Sequence, residues 1–154
     1  MKLRVYIDAS VVYGAPSKEF SQDSQRFWEA FRNDEFILIV SDVLEEEIER
    51  APQSVRDRFE ALPESRIERV ISTVESNKLA MQYITENVVG TSNLDDCRHI
   101  AIATICKTDA FVSWNFKHMI YRRAGYNDIN EMLGHSKIAI QTPKKFMEAS
   151  NDEI

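Results

Sequence analysis

Four oxygen-bearing side chains stand where the hydrophobic pattern of this sequence changes period: Asp8, Glu47, Asp96 and Asn115. Asp8 closes the apolar run Leu3 to Ile7, and Glu47 ends the triplet Glu45-Glu46-Glu47 that follows Ser41. Asp96, with Asp95 beside it, leads into the apolar stretch Ile100 to Ile105, and Asn115 follows Ala110 to Ser113. Three carboxylates and a carboxamide form an all-oxygen donor set of the kind that suits a hard divalent cation, Mg²⁺ or Mn²⁺; zinc would draw on His or Cys. Brought together without a cation, the carboxylates would repel one another and some would take up protons. A cation among them can activate a water and offset the charge of a phosphodiester under attack. That is the chemistry of a metal-dependent nuclease. Each residue also has a plainer reading. Asp8 is a common turn residue, Asp95 and Asp96 are ordinary helix caps, Asn115 suits a strand-to-helix turn, and the three glutamates suit a solvated helix face. Helical geometry sets Glu46 and Glu47 about 100° apart, so only one can face a pocket. Glu47 lies four after Val43 and Glu46 three after it, so periodicity leaves the choice open, as it does between Asp95 and Asp96.

The elements that must position these groups alternate along the chain. Leu3–Ile7 predicts a short strand. Ser10 to Ser21, with Gly14 and Pro16, reads as a polar connection. Phe27, Trp28 and Phe31 predict a helix from about Asp23 to Asn33, and the continuous run Phe36–Val40 a strand covered on both faces. Ser41 is a good N-cap for a helix to about Arg50, with Asp42 and Glu45 at its positive end. A further helical turn starts at Pro52. Beyond Pro63 the spacing of Ile67, Val70, Ile71, Val74 and Leu79 predicts a helix over 64–87, with a break near Ser76. A buried helix over 95–107, a strand Ala110–Ser113, helices near Phe116 and over 127–134, and a strand Ile138–Ile140 follow. A terminal helix opens at Thr142-Pro143. Strands alternating with helices predict an α/β domain with a mainly parallel sheet. Ligands of such sheets collect at the carboxyl ends of the strands, the edge where all four candidates would meet.

Composition narrows the classes. The 154 residues predict one domain, 1–154, with 44% hydrophobic and 29% charged residues. The balance of 19 basic against 25 acidic residues, net −6, excludes nucleic-acid binding by bulk charge and leaves a local basic patch or a cation as the route. No run reaches the roughly 18–20 apolar residues of a membrane span. Charges interrupt the first residues, which argues against a signal peptide, so the cytoplasm is the expected location. Cys97 and Cys106, nine apart, lack zinc-finger spacing and read as packing residues in a reducing compartment. Only four glycines are present, with no phosphate-cradling loop, which argues against P-loop and Rossmann nucleotide binding.

The segments Val5-Tyr6-Ile7-Asp8-Ala9-Ser10-Val11-Val12, Ser41-Asp42-Val43-Leu44-Glu45-Glu46-Glu47-Ile48, Asp96-Cys97-Arg98-His99-Ile100-Ala101-Ile102-Ala103-Thr104 and Val112-Ser113-Trp114-Asn115-Phe116-Lys117-His118, in that order, carry a resemblance. The chain resembles the PIN domain, the nuclease domain of VapC-type toxins of toxin–antitoxin pairs, over nearly its whole length. The resemblance implies a three-layer α/β/α sandwich with an acidic Mg²⁺ or Mn²⁺ pocket. Its first Asp falls on Asp8, its Glu on Glu47, its next Asp on Asp96, and its fourth position, often Asp, on Asn115. That departure removes one negative charge, although members of the branch it resembles also read Trp-Asn-Phe-Lys-His there. Ser10 and Ser113 match the small hydroxyl residues that support such a pocket and contact its substrate. The resemblance further implies an endoribonuclease acting on RNA, an antitoxin partner and a homodimer.

His99, three after Asp96, shares its helix face. It could ligate a metal, hydrogen-bond a ligating carboxylate, or be an ordinary core histidine. Lys117, His118, Tyr121, Arg122 and Arg123 form the nearest thing to a basic patch, with an aromatic for stacking. Lys117, His118 and Arg122 are its candidate phosphate contacts, and a solvated helix face is the plainer reading. Two other functions stay open: a catalytically silent PIN-like binding module, and a DNA nuclease or phosphatase on the same acidic site.

Overall fold

The structure, a computed structural model, describes residues 2–152. In chain order its elements are β1 (Leu3–Ile7), α1 (Ala9–Tyr13), α2 (Ser21–Arg32), β2 (Phe36–Ser41), α3 (Asp42–Glu49), α4 (Gln53–Glu60), β3 (Ile67–Val70), α5 (Val74–Thr85), α6 (Leu94–Ile105), β4 (Ala110–Val112), α7 (Arg123–Met132), β5 (Ile140–Gln141) and α8 (Pro143–Asp152). The strands form one sheet in the order β3-β2-β1-β4-β5, and every pairing is parallel. Val5 of the central strand sits opposite Leu38 on one side and Ala110 on the other.

Alternation along the strands splits the interior into two cores, because successive side chains leave a sheet on opposite faces. Val5, Ile7, Leu38, Val40, Ala110 and Val112 face one layer, with Val11, Phe27, Phe31, Leu44, Val55 and Phe146 from the helices. Tyr6, Ile39, Phe111 and Ile140 face the other, with Leu79, Tyr83, Ile100, Ala103 and Tyr126. This is the expected three-layer α/β/α sandwich. At roughly 1.5–3 kcal/mol for each large apolar side chain withdrawn from water, these two cores dominate the forces that hold the strand ends in place.

Local chemistry sets the helix boundaries. The Ser41 hydroxyl accepts the Leu44 N–H at 3.2 Å at the start of α3. Thr73 and Ser76 cap α5 reciprocally, at 3.0 and 2.8 Å. With so few glycines, three helices end on side-chain-bearing residues in the left-handed region: Asp34 at φ 62°, Asn87 at φ 58° and Lys107 at φ 56°. In each case the next residue's N–H reaches back to a carbonyl five positions before it: Glu35 to Ala30, Val88 to Tyr83 and Thr108 to Ala103. These closures satisfy carbonyls that a helix end leaves unpaired.

Several sequence expectations give way. The region 64–87 is not one helix: Ile67–Val70 is the edge strand β3, paired with Leu38–Ser41, and only Val74–Thr85 is helical. Ile67 and Val70 lie three apart, a spacing that also fits a helix, and a strand of four residues, none of them buried, is too short to display an alternation. The polar connection after Asp8 contains the one-turn helix α1. No helix starts at Phe116; turns lead to α7, whose second half covers the helix expected over 127–134. The last strand is shifted to Ile140–Gln141 because the Asn127 carboxamide oxygen takes the Ile138 N–H at 2.9 Å, withdrawing it from the ladder. Cys97 and Cys106 are free thiols packed against the α6 side of the sheet. Among the described residues no helix is long and apolar enough to cross a membrane.

Candidate active site

The carboxyl ends of β1 and β4 are tied together around Asp8. Asp8 caps α1, and its Oδ1 accepts the Ser10 N–H at 3.2 Å and the Ser10 hydroxyl at 2.5 Å. Its Oδ2 accepts the Ser113 hydroxyl at 2.7 Å. Each serine oxygen in turn accepts a backbone N–H from the β4 exit: Trp114 to Ser10 Oγ at 2.8 Å and Asn115 to Ser113 Oγ at 2.9 Å. Ser10 and Ser113 are therefore engaged with Asp8 itself. Asp8 is only 4% exposed. Burial raises its pKa above the ordinary carboxylate value; the His99 ring and the two hydroxyls act against that rise, and Glu47 adds to it.

Glu47 reaches inward from α3 and pairs with His99 Nε2. The other ring nitrogen, Nδ1, meets the Tyr6 hydroxyl at 2.7 Å, and that hydroxyl lies 2.7 Å from Ser41 Oγ. A buried polar chain, Ser41–Tyr6–His99–Glu47, thus crosses from the cap of α3 to the acid cluster, with Tyr6 and His99 fully enclosed. Burial works against a charged His99 ring, yet its bond to Glu47 and the charges of Glu47, Asp8 and Asp96 hold its pKa above the usual histidine value.

Asp96 lies in the first turn of α6 and is half-buried. Burial first, and then the Asp8 charge, raise its pKa to about 6, with His99 opposing and Glu47 and Asp95 reinforcing. Arg98 separates the neighbours that helical spacing left open. Its guanidinium sits 3.2 Å from Asp95 and 3.7 Å from Glu46, holding both on an exposed face. Glu47 and Asp96 are left to face His99. Asn115 sits beside the cluster in sequence, but its Oδ1 caps a turn by accepting the His118 N–H at 3.0 Å. Lys117 and Arg122 are exposed and His118 half-buried in the segment that follows.

Asp8, Glu47 and Asp96 therefore converge electrostatically on one buried histidine. Their mutual repulsion and the raised pKa values of Asp8 and Asp96 are what a cation would relieve. Among the described residues no three His, Cys, Asp or Glu side chains close into a metal cage. Mg²⁺ does not demand one, since it keeps several waters and is bound through one or two carboxylates. A separate apolar cleft of about 280 Å³, between α1, α2 and α4, is lined by Val12, Trp28, Phe31 and Leu62 and by none of these acids.

Tyr6 was not identified from the sequence as part of the site. Its position one residue before Ile7, on the sheet face opposite Val5 and Ile7, was the available signal, because a tyrosine between two aliphatic residues at the buried end of a strand needs a partner for its hydroxyl.

The architecture and the acid cluster at the carboxyl edge of a parallel sheet define a PIN-like α/β/α domain. No family model matches the sequence, and no curated protein matches it. Solved structures do match in fold. VapBC2 from Rickettsia felis, bound to a DNA fragment from their promoter, aligns with a TM-score of 0.56 at 10% identity, over 91% of this chain and 98% of that one. VapC20 from Mycobacterium tuberculosis, a toxin that cleaves the sarcin–ricin loop, aligns with a TM-score of 0.55 at 9% identity, over 88% and 98%. The tyrosyl-tRNA synthetase of Aeropyrum pernix aligns at 0.51 and 13% identity, over 92% of this chain and 53% of that one. At these identities the likeness is one of fold: the chain has a VapC-like fold.

Proposed function

We propose that this protein is a Mg²⁺- or Mn²⁺-dependent endoribonuclease, the toxin of a toxin–antitoxin pair acting in the cytoplasm. The observation that carries this reading is the pair of anchored acids, Asp8 held by Ser10 and Ser113 and Glu47 held by His99, at the carboxyl edge of a VapC-like sheet. Asp8 and Asp96, with Glu47, would hold the cation, and Asn115 would complete the shell directly or through water. When bound, the cation lowers the pKa of water and offsets charge on the phosphodiester. Ser10 and Ser113 fix the Asp8 carboxylate through both oxygens, and His99 fixes Glu47. Water adds to phosphorus and the bond to the 3′ oxygen breaks, leaving 5′-phosphate and 3′-hydroxyl ends. Lys117, His118 and Arg122 contact the strand. The promoter-bound VapBC2 complex supports an antitoxin partner here, and a homodimer belongs to the same reading.

The test is cleavage of single-stranded RNA with Mn²⁺ by the wild type, Asp8→Asn and Asp96→Asn; equal activity in all three defeats the assignment. Mn²⁺ at a hundred times its Kd should stabilise the wild type by about 2.7 kcal/mol, or about 5–11 °C for a chain of this size, and neither variant to that extent. A second reading, a silent PIN-like binding module, is favoured by the His99 bond that engages Glu47 and by the capping role of Asn115. It predicts no shift with millimolar Mn²⁺. Cleavage of DNA or of a phosphomonoester in the same assay would redirect the substrate to those classes.

A further inference from the structure

Beside the acid cluster lies an aromatic strip that belongs to neither core. Phe20, Trp114, Phe116 and Tyr121 form a contiguous series of rings. Phe20 lies 5.1 Å from Trp114 and 5.8 Å from Phe116, and Phe116 lies 5.8 Å from Tyr121, with the ring planes tilted by 37–46°. Trp114 and Phe20 are absent from both hydrophobic clusters, and Phe116 only borders one of them. Tyr121, at the outer end, is 71% exposed. An isolated exposed tyrosine is ordinary; one that continues a ladder of half-buried rings is not isolated. The inner end of the ladder is fixed to the site, because the Trp114 backbone N–H binds the same Ser10 hydroxyl that binds Asp8.

Charge complements the strip. Lys144, at the start of α8, places its ammonium 6.0 Å from the centre of the Phe20 ring. Lys117 and Arg122 are exposed in the segment that carries Phe116 and Tyr121. In a protein of net charge −6, a cation over an aromatic face and two more exposed in the segment that carries the outer rings fit one ligand chemistry: a single strand with unpaired bases and a phosphate backbone.

We infer that Phe20, Phe116 and Tyr121, backed by Trp114, form a stacking platform for unpaired bases of the strand presented to the acid cluster, with Lys117, Arg122 and Lys144 flanking it for phosphates. The inference rests on the nuclease reading for the identity of the strand, but not for the binding itself. Stacking is sequence-tolerant because every base has a flat face, so the platform holds unpaired strands in general and does not select bases within a duplex.

The experiment uses the full-length Asp8→Asn protein without divalent cation, so that no cleavage intervenes. Fluorescence anisotropy compares a labelled single-stranded RNA octamer, an abasic octamer of the same backbone, and an RNA duplex. The base-bearing single strand is expected to bind on the order of ten-fold tighter than either of the others. Tyr121→Ala, at an exposed position, should reduce that preference several-fold, and Phe116→Leu should reduce it further. Arg122→Gln and Lys144→Gln should weaken single-stranded and abasic octamers alike and flatten the salt dependence. Thermal melts establish that each variant is folded, and Tyr121→Ala decides the matter if Phe116→Leu is not. Equal binding of the abasic octamer, equal binding of the duplex, or a preference untouched by Tyr121→Ala overturns the platform. Base-dependent binding by a wild type that cleaves nothing would sink the nuclease reading and leave the platform standing. Cleavage without base preference would do the reverse.

Discussion

Replacing Tyr6 by Phe removes one oxygen from the middle of the buried chain Ser41–Tyr6–His99–Glu47. The ring keeps its stacking on Phe111, with centroids 5.3 Å apart, so no large cavity forms. Ser41 Oγ keeps the Leu44 N–H. His99 Nδ1 loses its partner at a position with no exposure. A buried group left unpaired costs about 1–3 kcal/mol. For a chain of this size each kcal/mol lowers Tm by about 2–4 °C, so Tyr6→Phe should melt about 2–12 °C below the wild type. The assay is urea unfolding with chelator present, on wild type, Tyr6→Phe, His99→Leu and the double variant. If the loss arises at His99, it largely disappears once His99 is Leu, and the cycle shows a coupling of about 0.5–3 kcal/mol. Additivity within about 0.5 kcal/mol would refute the idea that the two side chains act as one unit.

Two further outcomes follow from the acid cluster. Burial disfavours the charged form of Asp8, so Asp8→Asn, measured in chelator at pH 7.5, should raise the melting midpoint while abolishing cleavage; a lower midpoint would contradict a destabilising charge at this position. Asp96 has a folded pKa of about 6, above its ordinary 3.8. Between those values the folded state binds more protons, so its contribution to stability is fully present below about 3.8 and is lost as pH rises through about 6. Comparison of melting against pH for wild type and Asp96→Asn isolates this slope. Because a cation competes with that proton, Mn²⁺-dependent stabilisation should grow over the same rise, and a flat profile would count against Asp96 as a ligand.

The parallel α/β layout was legible because β2 and β4 carry continuous apolar runs bounded by polar turns and β1 alternates up to Asp8. β3 was not, because its four residues become a strand only by pairing with Leu38–Ser41, a relation that local spacing does not encode. Asp8 stood out as a carboxylate at the end of a central strand. Glu46 and Asp95 are drawn outward by Arg98, which leaves their neighbours Glu47 and Asp96 less exposed. That contact joins two helices far apart in sequence, so periodicity within either one could not reveal it. His99 was visible as sharing a face with Asp96, but its partner Tyr6 comes from a strand 93 positions away.

The central strand and its neighbour β4 lie far apart in the chain, with 105 positions separating Asp8 from the Ser113 hydroxyl that steadies it. Contacts of such span form late, after shorter loops have closed. A nascent or truncated chain ending before Ser113 carries the three acids without the strand end that holds the first of them. Docking of β4 beside β1 is therefore the step of folding that fixes the Asp8 carboxylate.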